Sequence, residues 1–429
     1  MGEKMPRRAL RRRRTQEVHL SSPLQPAERV ARESYGRLLA SLAARARDVT
    51  AAEDALAEAF ASALRVWPRA GAPDNPEAWL YAAARRRLID ASRRAAVARA
   101  GADRIALALE EIEADMAAGT DIPDRRLGLM FACAHPALDP GVRTALMLQT
   151  VLGLGADRIA AAFMVEPAAM GQRLVRAKRR IRDAGMPFDI PAPDVWPERI
   201  GAVLDAIYAA FGEGWADGGQ RALAEEAIWL SRVLVHEAPQ EPEALGLLAL
   251  MLHLEARQAA RRDADGRYVP LAEQDCARWN AAMIAEAERL LSRAAAMQRV
   301  GRFQLEAAIQ SAHAARARSG VTDWAAIVDL YDGLIALNDS PVARLNRAAA
   351  SARIVGPARA LSDLEALSAA LADYQPYWAL RAHLLRETGR AADAQAAYGE
   401  AIAREQDAAV RAYLRESSMS AGAMVEPGG

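Results

Sequence analysis

Asp157-Arg-Ile-Ala-Ala-Ala-Phe-Met-Val-Glu-Pro-Ala-Ala-Met-Gly-Gln-Arg-Leu-Val-Arg-Ala-Lys-Arg-Arg-Ile181 spells two helices and the turn between them. Asp157 to Phe163 makes a short helix and Met164-Val165-Glu166 a tight turn. Pro167 then opens a second helix, because its fixed φ suits a first helical position where an N–H would go unpaired anyway. On that second helix Met170, Leu174, Ala177 and Ile181 recur every three or four residues and form one narrow apolar face. Gln172, Arg173, Arg176, Arg179 and Arg180 form the other. An apolar helix from Val142 to Leu152, ended by Gly153, precedes the pair. Size and punctuation are those of a helix-turn-helix, whose second helix lies in the DNA major groove. In that geometry Ala168, Ala169, Gln172 and Arg173 approach base edges, while Arg176, Arg179 and Arg180 meet phosphates. The competing reading is an ordinary basic amphipathic helix.

The rest of the chain shares this helical grammar. Ala and Leu dominate nearly every segment and no Val, Ile or Thr run shows a period of two, so the expected fold class is all-α. At 429 residues the chain is too long for one ordinary domain. Lys+Arg and Asp+Glu are equal at 55 each, so net charge alone points to no nucleic-acid partner. The charges are segregated, however. Lys4, Arg7, Arg8 and Arg11 to Arg14 form a basic arm, and arginines cluster again near 85–94 and 173–182. Glu110, Glu111, Glu113, Asp115, Asp121 and Asp124 form an acidic stretch between them, and separated blocks can present local basic surfaces despite a zero sum.

Pro and Gly mark the seams. The expected organisation is a disordered basic arm over 1–26, a first helical domain over 27–98 and an acidic linker over 99–125. The helix-turn-helix domain follows over 126–186, then a helical extension over 195–415 and a tail over 416–429. Met5 is a second candidate start. Two distant cysteines, Cys133 and Cys276, fit a reducing compartment, no signal peptide or membrane span is recognisable, and a cytoplasmic protein is expected.

Within the first domain, Asp48 to Trp67 reads as a helix with Val49, Leu56, Phe60, Ala63, Leu64 and Trp67 on one face and Glu53, Asp54 and Glu58 on the other. Taken alone, that acidic face is simply solvated. The next helix starts at Asn75-Pro76, a good cap followed by a good first residue. Trp79, Arg86, Asp90 and Arg93 fall on one stripe, with Arg87 and Arg94 beside it, and Tyr81, Ala84, Leu88 and Ala95 lie opposite. Guanidinium groups can grip phosphates and an indole can stack on an unpaired base. The alternative places Trp79 in the core and leaves the arginines as a solvated face.

Two helical DNA-binding blocks joined by a linker resemble the extracytoplasmic-function sigma factors of the sigma-70 family. Arg47-Asp-Val-Thr-Ala-Ala-Glu-Asp-Ala-Leu-Ala-Glu-Ala-Phe60 resembles the part of region 2 that docks on core RNA polymerase. Pro76-Glu-Ala-Trp-Leu-Tyr-Ala-Ala-Ala-Arg-Arg-Arg-Leu-Ile-Asp-Ala-Ser-Arg-Arg94 resembles the part that melts and reads the −10 element, and residues 127–183 resemble region 4, which reads the −35 element. The resemblance implies that Asp48, Glu53, Asp54, Glu58 and Phe60 contact core polymerase, and that Trp79, Arg86, Asp90 and Arg93 face the −10 strand. It further implies that Arg173, Arg176 and Lys178 face the −35 duplex. Gly155 stands where the family more often has a Thr or Ser cap, and several alanines replace polar positions of the core-docking helix.

The extension has paired-helix character. Tyr377-Trp-Ala-Leu-Arg-Ala-His-Leu-Leu-Arg-Glu-Thr-Gly389 followed by Ala394, Tyr398 and Ala401 resembles a tetratricopeptide unit, and Asp323 to Asn346 a degenerate one. The whole extension resembles that of one sigma-factor subgroup, through Leu247 to Leu252, Arg257 to Gly266, Glu273-Gln-Asp-Cys-Ala-Arg-Trp279, Gly301 to Ile309 and Phe211-Gly-Glu-Gly-Trp215. Asp263, Asp265, Glu273 and Asp275 form a carboxylate cluster and Asp217-Gly-Gly219 a Gly-rich turn, but loop carboxylates usually cap helices, so no catalytic residue, metal site or cofactor is expected. The expected partners are core RNA polymerase, promoter DNA, and a regulatory protein or ligand on the repeats, with no membrane. A different reading is a helix-turn-helix regulator that senses a ligand through the repeats; a third is a repeat scaffold with incidental basic helices.

Overall fold

The computed structural model describes residues 34–99, 122–163, 165–216 and 221–423, together with 27, 30 and 31. The basic arm, most of the acidic linker, Met164 of the turn, the Asp217-Gly-Gly219 turn and the end of the tail lie outside the described residues. What is described is all-α: among the described residues there is no strand, only an isolated antiparallel bridge between Arg262 and Tyr268. The chain divides into two compact units, one ending at Arg126 and the other beginning at Leu127.

The first unit is built on α1 (Tyr35–Ala46), α2 (Val49–Ala70) and α3 (Pro76–Arg99), each touching the other two. Leu38, Leu39 and Leu42 of α1, Leu56 of α2 and Leu80 of α3 are fully buried, and Ala43, Ala52, Ala59, Ala63 and Ala84 fill the remaining core positions. Alanine at so many contacts keeps the helices close together. The chain reverses between α1 and α2 through Arg47, which takes a left-handed φ of 52°. Asp48 then caps α2 by accepting hydrogen bonds from the N–H groups of Thr50 (3.0 Å) and Ala51 (3.2 Å). Asn75 caps α3 in the same way, through the N–H of Ala78 at 3.0 Å. Arg37 of α1 pairs with Glu77 of α3, and Arg87 of α3 with Glu58 of α2.

The second unit starts with α4 (Arg126–Cys133), α5 (Pro140–Thr150), α6 (Ala156–Ala162) and α7 (Pro167–Asp183), and continues through α8 (Ile200–Ala216), α9 (Arg221–Glu237) and α10 (Pro242–Ala256). The break expected between 186 and 195 is packed. At the end of α7, Gly185 takes a φ of 60°, which lets the N–H of Met186 reach back to the carbonyl of Ile181 (3.1 Å) and turns the chain onto its own helix. Phe188 is then buried. Trp196 stacks on Phe131 of α4 at 5.3 Å between ring centroids and donates its indole N–H to the carbonyl of Pro191. Helix α8 packs along α5, and Glu213 of α8 pairs with Arg158 of α6 at 2.8 Å. The helix-turn-helix and the extension therefore share one core.

Helix α10 is the centre of the extension. Residues 244–253 are all nearly inaccessible, because α10 is covered by α8 and α9 on one side and by α11 (Ala281–Ala296) and α12 (Arg302–Ala314) on the other. A helix apolar all round needs such a surrounding shell. Between α10 and α11 the irregular segment 258–279 is held by arginine side chains that donate to its carbonyls. Arg278 reaches Ala259 and Arg262, and Arg316 reaches Leu271, Ala272 and Gln274. Asp263 and Asp275 of the carboxylate cluster accept backbone N–H groups in this segment. After the short α13 (Arg316–Ser319), α14 (Trp324–Leu337), α15 (Pro341–Val355), α16 (Pro357–Glu365), α17 (Gln375–Glu387), α18 (Ala391–Arg404) and α19 (Ala408–Ala423) each pack on the next in sequence. Successive packing of this kind is the geometry of a helical array, and the last helix also returns to the 258–279 segment, with Tyr413 edge-on to Tyr268 at 5.6 Å.

Candidate nucleic-acid and polymerase interfaces

In the first unit, α2 turns two kinds of surface outward. Asp54 and Glu58 are exposed, Glu53 and Phe60 are half-buried, and Leu64 is 46% exposed. Leu64 thus departs from the inward face that helical spacing gave it. Its neighbours Ala63 and Trp67 fill the core and leave it at the rim beside Phe60. Asp48 is half-buried and committed to its cap, and Glu58 is held by Arg87 at 2.7 Å. What remains is a small apolar ridge, Phe60 and Leu64, flanked by carboxylates.

On α3, Arg86, Asp90, Arg93 and Arg94 are exposed. Trp79 is half-buried, its ring edge-on to Trp67 at 5.4 Å and 67°. It sits one turn from the start of α3, where α2 and α3 converge, so the indole closes the core there and shows only part of its surface. Arg87 bends back to Glu58 and to the hydroxyl of Ser62 (2.8 Å) and leaves the outward stripe to Arg86 and Arg93.

The two helices expected on either side of the turn are formed. The carbonyl of Gly155 accepts from the N–H of Ile159 to start α6, and the N–H of Val165 returns to the carbonyl of Ala160. Pro167 takes the first position of α7, and Met170, Leu174, Ala177 and Ile181 are buried. Ala168, Gln172, Arg173, Arg176, Arg179 and Arg180 are exposed and Ala169 is half-exposed. Lys178 is the exception in the expected DNA-facing set. It is only 7% exposed, because it lies four residues after Leu174 and three before Ile181 and so shares their inward stripe. Val175, which sequence reading passed over, is 58% exposed among the arginines.

A cleft of about 420 Å³ runs between the start of α5 and α7, lined by Leu138, Asp139, Val142, Arg173, Arg176 and Arg180. Burial, and then Arg199, Arg143 and Arg180, hold the His135 imidazole below its usual pKa. Among the described residues no group of His, Cys, Asp and Glu could hold a metal ion, and no helix is long and apolar enough to cross a membrane.

Residues 32–97, which span α1, α2 and α3 up to its last two residues, match the family described as sigma-70 region 2. Residues 199–295, from the start of α8 to the end of α11, match a family of unknown function (DUF6596). The chain is 40% identical over 378 residues to the uncharacterized protein R00370 of Rhizobium meliloti (strain 1021), a match that spans 86% of this chain and 89% of that protein. No solved structure matches the chain.

Proposed function

We propose, from the chain's membership of the sigma-70 family of transcription-initiation factors, that it is a sigma factor of extracytoplasmic-function type in which the helix-turn-helix reads the −35 element and the fused helical extension regulates the outcome. The family is not an enzyme family; its members act by selecting promoters and opening strands, in partnership with core RNA polymerase and promoter DNA. In the proposed division of labour, Phe60 and Leu64 dock on polymerase inside a frame of Glu53, Asp54 and Glu58. Arg86, Asp90 and Arg93 follow the −10 strand, and the exposed edge of Trp79 meets it. Gln172 and Arg173 reach bases of the −35 duplex, while Arg176, Arg179 and Arg180 hold its backbone.

The observation that carries this reading is the pairing of a region 2 match with a second, separate helix that exposes Arg173, Arg176, Arg179, Arg180 and Arg182. A classical repressor-type regulator has use for the second feature but none for the first. The sequential helix packing from α14 to α19 supports a tetratricopeptide-like character for the end of the chain. Residues 126–186 are proposed as the −35 domain, 27–98 as the core-binding and −10 domain, and 195–415 as the regulatory extension.

The test is promoter-specific transcription with purified core polymerase. Run-off transcripts should appear from a subset of genomic promoters only when the chain is added. Absence of stimulation on every genomic fragment, with intact binding of the chain to DNA, would instead identify a repressor or activator that works without core.

A further inference from the structure

We propose that the open cleft lined by α8, α10, α12, α14 and α15 is a binding site for an uncharged ligand of amide character that carries an aliphatic group. The inference rests on the regulatory reading of the extension and gives it a ligand class. The cleft has a volume of about 550 Å³, which is in the range of small-molecule sites. Its floor is apolar: Leu250, Leu254, Ile309, Leu334, Val342 and Ala343. Three of these, Ile309, Leu334 and Ala343, belong to the buried core shared by α12, α14 and α15, so the floor is built and not loosely draped.

The polar lining specifies the class. Arg302 and Glu306 both reach the cleft, but they are spent on each other at 2.8 Å, and Arg302 also pairs with Asp205 at 3.2 Å. The hydroxyl of Tyr208 is hydrogen-bonded to Glu306 as well. A charged ligand would lose its hydration against charges already neutralised, and nothing there returns that cost. The remaining groups are neutral. Gln310 has a fixed orientation: its Oε1 accepts from the buried Arg257 guanidinium, which has donors only, so its Nε2 is the group left to donate. Among the described residues no side-chain hydrogen bond engages Asn338, Asn346 or the Tyr331 hydroxyl, all of which line the same cleft. Burial and the neighbouring Glu306 push Tyr331 up to about 12, which keeps it a donor. Carboxamides that offer one acceptor and one donor side by side match a ligand that does the same, and a peptide bond is the simplest such group. Helix α8 brings Tyr208 to the cleft and, further along, Glu213 to Arg158 of the helix-turn-helix, so an occupant would touch a helix anchored to α6.

The full chain, free of polymerase and DNA, is titrated with N-acetyl-leucine-methylamide, and binding is read by saturation-transfer NMR. Saturable binding is expected, with isovalerate and isopentylamine, the charged molecules of the same aliphatic shape, at least ten-fold weaker. Asn346→Leu should weaken the amide probe at least five-fold and Tyr331→Phe at least two-fold, with unchanged circular dichroism. A capped Ala-Leu-Ala peptide that binds more tightly than the single residue marks a peptide segment as the natural occupant; equal affinity marks a small amide. No saturable binding of either amide probe, equal binding of a charged analogue, or full binding by both variants overturns the proposal. Because no polymerase is present, these outcomes are independent of the promoter test.

Discussion

Arg176 and Lys178 are two residues apart on α7, and the sequence points both at the −35 duplex; the fold separates them. Arg176 is exposed, with its guanidinium Nε resting on the carbonyl of Gln172 at 3.3 Å, while Lys178 is 7% exposed. If α7 holds the DNA backbone, Arg176→Ala removes one phosphate contact. The slope of log affinity against log salt should then fall by roughly 0.9. Between 50 and 200 mM salt that is a difference of roughly 3.5-fold in how steeply affinity declines. Replacing Arg176, Arg179 and Arg180 together should lower the slope by roughly 2.7 if all three touch phosphates. Lys178→Met, which keeps the aliphatic stem, should leave the slope unchanged. Its cost should appear in folding, as a loss of about 1–3 kcal/mol from the interaction that Lys178 makes at this nearly inaccessible position. The assay is fluorescence anisotropy on one promoter fragment at five salt concentrations, paired with urea unfolding of each variant. If Lys178→Met flattens the salt dependence and Arg176→Ala does not, the assignment of faces on α7 is wrong.

Trp196→Ala should destabilise the second unit by about 3–5 kcal/mol, since it removes a buried indole, its stacking on Phe131 and its hydrogen bond to Pro191. A change below about 1 kcal/mol in urea unfolding would show that the helix-turn-helix does not depend on the segment after it. Gly128→Ala should cost about 1–3 kcal/mol or more, because a Cβ there would lie 2.2 Å from the carbonyl oxygen of Phe188, whereas Gly171→Ala meets nothing within 4 Å and should gain about 0.5–1 kcal/mol of helix stability; equal thermal midpoints for the two variants would contradict the packing of α4. Burial holds His253 down at about 4, with Glu288 opposing and Arg257 reinforcing the shift. An imidazole kept neutral in the fold but free to protonate in the unfolded chain gives full stability above about pH 6.5 and progressive loss toward pH 4, on the order of 3 kcal/mol at the lower end. Urea midpoints measured from pH 7.5 to 4.5 should fall less steeply for His253→Leu than for the parent, and parallel profiles would show that His253 is not the group responsible.

The sequence by itself determined what depends on short-range order. The helix boundary at Asn75-Pro76 follows from capping, that at Glu166-Pro167 from the fixed φ of proline, and the apolar stripe Met170, Leu174, Ala177 and Ile181 from the helical period. The all-α class follows from composition. Each is set by groups within a few residues of each other, so a single chain read in order suffices. The outward sets on α3 and α7 were legible to the same depth, with two exceptions. Lys178 lies inside because the buried stripe is wider than its apolar members suggest, and Trp79 is partly taken by Trp67 across a helix junction that no local pattern records.

Only the tertiary structure decided how the blocks associate. The Gly185–Pro193 stretch has the composition of a linker, yet Phe188 and Trp196 bury themselves and join the helix-turn-helix to the extension. A seam is a separation only when nothing apolar crosses it, and that depends on what lies opposite. The same holds for the cleft beside α10. Tyr208, Gln310, Tyr331 and Asn346 are unremarkable in sequence and come from four helices, and they line one cleft only because packing around α10 brings those helices together.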